Sequence, residues 1–135
     1  ILVFAPWKVV TPAHIAEFMQ EIVDARGVTL ESLEGYAQMI AGKVNGSTPE
    51  AIFQWSAKQA YIALGFAMAA AAIEEVDATP MEGFNPAGVN EVLGLEAKGL
   101  SAACILPLGY RDAANDFLAS APKVRRSKEK LFVNM

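Results

Sequence analysis

The sequence predicts an α+β fold in which helices pack around a small mixed sheet, and three observations support this prediction. Two short apolar runs, residues 1–5 and 100–108, have the length and composition of buried strands. Between them lie several segments that begin and end with helix-capping residues. The longest of these segments contains fourteen consecutive apolar residues, 60–73, which predict a long central helix buried on every side.

The first strand and the first helix are predicted from residues 1–27. Pro6 ends the first apolar run. Thr11 followed by Pro12 is typical of a helix start, because threonine caps free N–H groups and proline suits the first turn. Gly27 is predicted to end this helix. Its apolar face, at helical spacing, consists of Ile15, Phe18, Met19 and Ile22.

A second helix is predicted to start at Thr29, with Glu31 in its first turn. Gly42, Asn45 and Gly46 break the helical pattern, so the helix is expected to end there. Its apolar face is less regular and consists of Leu30, Leu33, Met39 and Ile40.

The third helix has the clearest start, because residues 47–50 (Ser-Thr-Pro-Glu) offer a capping box or a threonine cap before proline. From there to Glu75, only Gly65 is a strong helix breaker. The apolar run 60–73 is shorter than the roughly 20 residues that a bilayer span needs. We therefore predict a central helix, packed against its symmetry mate in a dimer.

The remaining elements are short. Residues 76–84 contain Pro80 and Gly83 and are not expected to form a regular helix. Asn85 and Pro86 begin a helix that reaches residue 94, and residues 100–108 form a strand with a proline near its exit. Asp112 is predicted to cap a last helical turn that holds residues 117 and 118.

These elements leave the sheet and the surface incomplete. Two strands do not make a stable sheet alone, so further strands are expected from the tail, from a partner chain or from a preceding segment. Hydrophobic residues make up 53% of the chain and charged residues 19%. That balance is apolar for a monomer of 135 residues and favours an oligomeric interface or a missing partner segment.

Charge is distributed unevenly over the chain. From residue 122 onward, five basic residues oppose one glutamate, so this tail carries +4 and the remainder carries −8. An acidic body argues against a nucleic-acid-binding domain, and a basic tail alone is typical of a solvated terminus. We expect neither a nucleic acid nor a membrane as a partner.

Generic catalytic motifs for dinucleotides, nucleotide phosphates, zinc or nucleophilic serine do not occur. His14 lies in the first turn of a helix and is predicted to be a helix-start residue, and no metal site is expected. Cys104, the one cysteine, lies in an apolar run and is predicted to be a small core residue. A lone cysteine and no signal-peptide pattern favour a cytoplasmic location. Any redox chemistry would therefore need a bound cofactor.

Four segments, in order, carry a family resemblance. They are Trp-Ser-Ala-Lys-Gln-Ala-Tyr-Ile-Ala-Leu-Gly at 55–65, Asp-Ala-Thr-Pro-Met-Glu-Gly-Phe at 77–84, Leu-Pro-Leu-Gly-Tyr-Arg at 106–111 and Pro-Lys-Val-Arg-Arg at 122–126. Together they resemble the FMN-dependent NAD(P)H nitroreductase and dihydropteridine reductase family over nearly the whole chain. The resemblance implies a nitroreductase-like α+β fold and an intertwined homodimer.

The resemblance also implies a set of site residues. Pro80, Met81, Glu82 and Gly83 would line the flavin, with the Gly83 N–H directed at flavin N5 and Glu82 beside the nicotinamide and substrate. These two residues are the catalytic candidates. Lys123 and Arg125 would hold the FMN phosphate, although Arg126 directly follows and leaves the choice of arginine open. Ile40 and Ala41 align with the mobile helix over the substrate pocket, where relatives often have an aromatic residue.

The resemblance further implies how the chain is organised. Residues 1–135 are expected to form a single nitroreductase-like domain. The family's N-terminal flavin-binding segments do not occur here, so we expect the N-terminal third of a subunit to be absent. Residues 122–135 would extend onto the partner subunit, with residues 131–133 (Leu-Phe-Val) as an edge strand of its sheet.

The implied function is two-electron, ping-pong hydride transfer, in which NAD(P)H reduces FMN and the flavin reduces a nitroaromatic, a quinone or a related small acceptor. The alternative is a non-catalytic helical dimerisation or interaction module, which gains weight if these 135 residues are the complete native chain. A basic-tail nucleic-acid or membrane binder is a third, weaker reading.

Overall fold

A computed structural model of the chain describes residues 1–133 and shows an α+β fold. Residues 134 and 135 of the predicted C-terminal extension lie outside the described part. Two 3₁₀ turns, Glu31–Leu33 and Glu96–Lys98, separate longer elements. The elements are β1 (Leu2–Phe4), α1 (Pro12–Arg26), α2 (Glu34–Asn45), α3 (Pro49–Ile73), β2 (Asp77–Ala78), α4 (Pro86–Leu93), β3 (Cys104–Leu106), β4 (Leu108–Gly109) and α5 (Lys128–Leu131).

The predicted caps of α1, α3 and α4 are confirmed. The Thr11 hydroxyl accepts a hydrogen bond from the His14 N–H, and His14 Nδ1 accepts one from the Thr11 N–H at 3.2 Å. Thr48 and Asn85 accept backbone N–H groups in the same way at the starts of α3 and α4. Gly27 ends α1 in the left-handed conformation, at φ 66°. Local capping chemistry therefore defines most helix boundaries.

The second helix starts later than predicted. The Thr29 hydroxyl accepts a hydrogen bond from the Ser32 N–H, but the chain first makes the 3₁₀ turn Glu31–Leu33 and only then enters α2. The apolar face predicted for α2 is only partly covered, because none of its residues is buried.

Three antiparallel segments form the sheet. β1 pairs with β3, so that Leu2 lies opposite Leu106, and β2 pairs with β4. An isolated antiparallel β-bridge between Met81, just after β2, and Ile105 of β3 connects the two strand pairs. The expected mixed sheet is wrong for residues 1–133, because every pairing there is antiparallel.

The predicted strand 100–108 is shorter than expected. It begins at Cys104 and is interrupted at Pro107, because proline has no N–H to donate to a neighbouring strand. The Pro107 carbonyl still accepts a hydrogen bond from the Thr79 N–H at 3.1 Å. Residues 77–81, which pair beside this strand, lie in the segment 76–84, for which the sequence predicts only that no regular helix forms. They supply the third strand that a two-strand prediction lacked.

The core lies where α3 crosses the sheet. Cys104 and Leu106 have no exposed surface and pack with Leu64 of α3. Burial raises the pKa of the Cys104 thiol, and the charge of Glu82 adds to this effect. The thiol therefore stays protonated, and the prediction that this cysteine is a core residue is confirmed.

Within this chain, α3 is buried along one face only. Five of its 25 residues are buried, whereas Phe66 is 74% exposed and Ile73 80% exposed. The prediction of burial on every side is not met by the described residues, because none of their elements covers this outer face. α3 is long and apolar enough to cross a membrane. This is weak evidence for a membrane span, because core helices of soluble proteins meet the same criterion.

The C-terminal region departs from the prediction at residues 117 and 118. Asp112 accepts the Ala114 N–H, but residues 117 and 118 lie in turns and not in a helix, because this capping bond closes only a local turn. The edge strand predicted for residues 131–133 would form on the sheet of a partner subunit, and it stays a prediction. In the single chain, Leu131 ends the short helix α5.

Candidate functional site

The loop at residues 80–84 leaves the sheet edge in a fixed geometry. Met81 exchanges two backbone hydrogen bonds with Ile105, at 2.8 and 3.0 Å. Three residues later the Phe84 N–H donates to the Glu82 carbonyl at 2.9 Å and closes a tight three-residue turn. Pro80 precedes the bridge and is exposed. The loop therefore places Glu82 and Gly83 at the surface beside the central strand.

Gly83 is the central residue of this turn. Its N–H has no hydrogen-bond partner within residues 1–133. A Cβ built at this position would meet no atom within 4 Å, and its φ is not positive. Neither backbone conformation nor internal packing requires glycine here. The turn therefore offers an exposed backbone donor at a residue without a side chain, which suits close approach of a flat polar ligand.

Tyr61 of α3 is a site residue for which sequence reasoning proposed no role. Its phenolic O–H donates to Glu82 Oε1, across 21 positions of sequence. The hydrogen bond to this carboxylate, with smaller effects of burial and of the Glu82 charge, raises the pKa of Tyr61 to about 12. The available signal was the position of Tyr61 inside one of the four family-like segments.

A charged cluster lies at the other end of this sheet edge. Asp77 accepts three hydrogen bonds from Arg111, including one from Nε at 2.9 Å. These bonds lower the pKa of Asp77 to about 2, and the charge of Lys123 adds to the effect. Asp77, Arg111 and Lys123 line an open cavity of about 370 Å³ together with Glu75.

The two predicted phosphate ligands are not brought into one pair. Lys123 lines the cavity beside Asp77. The Arg125 guanidinium donates instead to the neighbouring Val124 carbonyl at 2.8 Å and forms no ion pair in the described part of the chain. Arg126 is exposed as well. A bound anion would have to recruit Arg125 from solvent.

The predicted substrate residues lie on α2, away from the loop. Ile40 lines a cavity of about 710 Å³ between α1, α2 and α3, and neighbouring Ala41 is half-buried without lining it. None of residues 80–84 lines that cavity. Its aromatic lining consists of Trp7, His14, Phe18, Tyr36 and Trp55, with Trp7 stacked on His14 at 4.1 Å between ring centroids.

α3 connects these two regions. Trp55 borders the aromatic cavity, and Tyr61 follows six residues later, about 9 Å along the helix axis. Within residues 1–133 no cluster of three or more His, Cys, Asp or Glu side chains has the arrangement of a metal site. The donors at the candidate site are therefore a backbone N–H, a phenol, a carboxylate and exposed cations, a set that suits an organic anion better than a metal ion.

Comparison with known proteins gives one family and several relatives. The sequence profile described as the Nitroreductase family matches residues 5–110. The major NAD(P)H-flavin oxidoreductase of Aliivibrio fischeri is 39% identical over 75 residues, 56% of this chain and 34% of that protein. The oxygen-insensitive NAD(P)H nitroreductase of Enterobacter cloacae is 38% identical over 72 residues, 53% of this chain and 33% of that protein.

A longer match extends over most of the chain. A Staphylococcus aureus (strain USA300) protein is 28% identical over 117 residues, 82% of this chain and 52% of that protein. The chain thus spans about a third of the length of the first two relatives and about half of the third. Because the family profile covers most of the 135 residues, this chain belongs to the nitroreductase family.

Proposed function

We propose that this chain is part of an FMN-dependent oxidoreductase that uses NAD(P)H to reduce nitroaromatics, quinones or related acceptors. Family membership and the names of two relatives support an NAD(P)H-linked redox enzyme. The observation that carries the proposal is the exposed Gly83 N–H, which has no hydrogen-bond partner among residues 1–133 and directly follows Glu82, whose carboxylate is held by Tyr61.

The residues of the loop are chemically suited to a flavin. When bound, FMN would supply hydride acceptance and release, in two separate half-reactions of a ping-pong cycle. The Gly83 N–H would donate a hydrogen bond to the flavin at N5, and Pro80 and Met81 would line the ring. Glu82 would lie beside the nicotinamide and the acceptor. All four residues are exposed in the single chain and available to a ligand.

Lys123 and Arg125 hold the phosphate in this proposal. Both are exposed cations, and FMN carries close to two negative charges on its phosphate. On binding FMN, Lys123 would interact with the phosphate in place of part of its electrostatic interaction with Asp77. The Arg125 guanidinium would leave the Val124 carbonyl and donate to the phosphate instead. In the single chain Ile40 lines the cavity between α1, α2 and α3, apart from the loop 80–84. We propose that Ile40 and neighbouring Ala41 border the acceptor site from α2 in the assembled enzyme.

The assembly that we propose is a homodimer in the cytoplasm. Phe66 and Ile73 leave the outer face of α3 apolar and uncovered in the single chain. A second copy of this face would cover it, and the C-terminal extension from residue 122 would rest on the partner subunit.

The test of the proposed function is optical. The purified full-length protein should show flavin absorbance in the visible blue, NAD(P)H should bleach it without oxygen, and a quinone or nitroaromatic should restore it. Replacing Lys123 and Arg125 together by alanine should lower FMN affinity at least tenfold, and Lys130→Ala is the matched control. A colourless protein that does not take up FMN would refute the proposal and favour the interaction module.

A further inference from the structure

The turn at Glu82 and Gly83 is connected to the rest of the chain by two kinds of contact. Backbone bonds from Met81 to Ile105 attach its first end to the sheet. The hydrogen bond from Tyr61 attaches its side-chain face to α3. Within residues 1–133 no other side-chain hydrogen bond reaches the segment 80–84. Tyr61 is thus the point at which the long helix meets the loop.

The helix is a suitable anchor for such a contact. Tyr61 lies in the middle of α3, one turn before Leu64, which is buried against Cys104 and Leu106. A long side chain such as glutamate loses rotamer freedom when it is held, and an exposed one adopts many orientations when it is not. The phenol binds Oε1, and Oε2 has no hydrogen-bond partner among residues 1–133. This one contact therefore restricts the orientation of the carboxylate in the residue that precedes Gly83.

We propose that Tyr61 is a positioning residue, which holds the Glu82 carboxylate in the orientation that receives NAD(P)H and the acceptor. This inference rests on the proposed function. Tyr61 acts through Glu82 and is not placed in contact with flavin. Its removal should therefore change the docking of the hydride donor more than the binding of the flavin.

Tyr61→Phe removes the donor and keeps the ring. The expected result in the flavin-loaded full-length protein is a KM for NAD(P)H raised about tenfold, with kcat and flavin content within about twofold of wild type. Glu82→Ala removes the acceptor itself and should raise the KM at least as much, and adding Tyr61→Phe to it should have no further effect, because the contact is already broken. Tyr110→Phe is the control, since Tyr110 is exposed and its phenol has no hydrogen bond in the described residues.

A spectroscopic measurement tests the contact apart from activity. The ultraviolet phenolate signal that wild type shows and Tyr61→Phe lacks belongs to Tyr61, whose pKa is raised from 10.0 to about 12 by Glu82. At pH 11 this phenol should remain protonated in wild type and ionise in Glu82→Ala, with circular dichroism confirming that both remain folded. A Tyr61 signal that ionises equally in both proteins would remove the hydrogen bond on which the inference depends.

The outcomes separate the inference from the proposed function. An unchanged KM in a flavin-loaded Tyr61→Phe protein would overturn the positioning role and leave the flavin enzyme intact. Loss of flavin together with a lower melting temperature would identify a purely structural role and also overturn it. A wild-type protein that takes up no flavin would overturn the proposed function, and the positioning role with it.

Discussion

Gly83 illustrates how a single residue can be informative because the fold does not need it. Most glycines that a fold requires have a positive φ or a close neighbour, as Gly94 does at φ 61°. Gly83 has neither within residues 1–133. A flavin ring against the turn, as proposed above, would give a reason for glycine at this position.

Gly83→Ala tests this reasoning directly. The free energy of unfolding should be unchanged or raised by up to about 1 kcal/mol, because alanine restricts the unfolded chain and meets no neighbour in the fold. FMN affinity should fall at least tenfold, because the new methyl group lies between the N–H and the ring. Denaturant unfolding of the apoprotein and fluorescence titration with FMN measure the two quantities.

The matched control is Gly94→Ala. That position is equally open but has φ 61°, so alanine should cost about 1 kcal/mol of stability and leave FMN affinity unchanged. Equal flavin affinity in the Gly83 variant and wild type would contradict the placement of the ring at this turn.

At the same scale, the sequence predicts contacts within a few residues and misses those across many. Thr11, Thr48 and Asn85 were predicted as caps because each acts on an N–H two or three residues ahead. The bond from Tyr61 to Glu82 and the one from Arg111 to Asp77 join residues 21 and 34 positions apart. Such contacts depend on how α3 and the sheet meet, which no local pattern specifies.

Among the elements, α3 ends without the glycine or proline that usually signals a helix C-terminus. Glu75 takes the left-handed conformation, at φ 56°, where glycine is usual. The Val76 N–H donates to the Ala71 carbonyl and the Glu75 N–H to the Ala72 carbonyl, which together form a Schellman motif. The sequence predicts a helix as far as residue 75, because neither glycine nor proline occurs between Gly65 and that position.

Glu75→Gly should stabilise the protein by about 1 kcal/mol, since it relieves an unfavourable backbone conformation at an exposed position. Glu74→Gly is the control, because Glu74 has φ −82° and glycine there only adds freedom to the unfolded chain. The control should lose stability, by roughly 0.5–1 kcal/mol. Chemical denaturation of both variants measures the difference, and a loss of stability in the Glu75 variant would contradict the strain argument.

The sheet shows the same limit for whole elements. The first strand was predicted because five apolar residues before a proline are typical of a buried strand. β2 was missed because it is two residues long and exists through its pairing with β4, about thirty residues away. Pro107 also divides one predicted strand into two. The pairing partner, rather than the local sequence, decides where these strands begin and end.

For the whole molecule, the distribution of apolar residues around α3 points to a second covered face. Leu64 and Ala71 face the sheet. Ile62, Phe66 and Ile73 lie about half a turn away from Leu64, at 100° per residue, and are mostly exposed. Exposed apolar side chains that line up on one helix face are typical of an interface. The high apolar content noted in the sequence is concentrated in part on this face.

Phe66→Ala is expected to weaken self-association without harming the fold of each subunit. Phe66 is 74% exposed in the single chain, so its truncation leaves no internal cavity there. In a symmetric dimer each substitution counts twice, so losing two buried phenylalanine side chains at about 2 kcal/mol each should raise the dissociation constant about a thousandfold. Sedimentation velocity across a range of protein concentrations measures this shift.

Val92→Ala is the control, because it removes apolar surface at an 84% exposed position on α4, away from this face, and should leave the dimer unchanged. A monomeric wild-type protein, or equal dissociation constants for wild type and the Phe66 variant, would show that this face of α3 has another role.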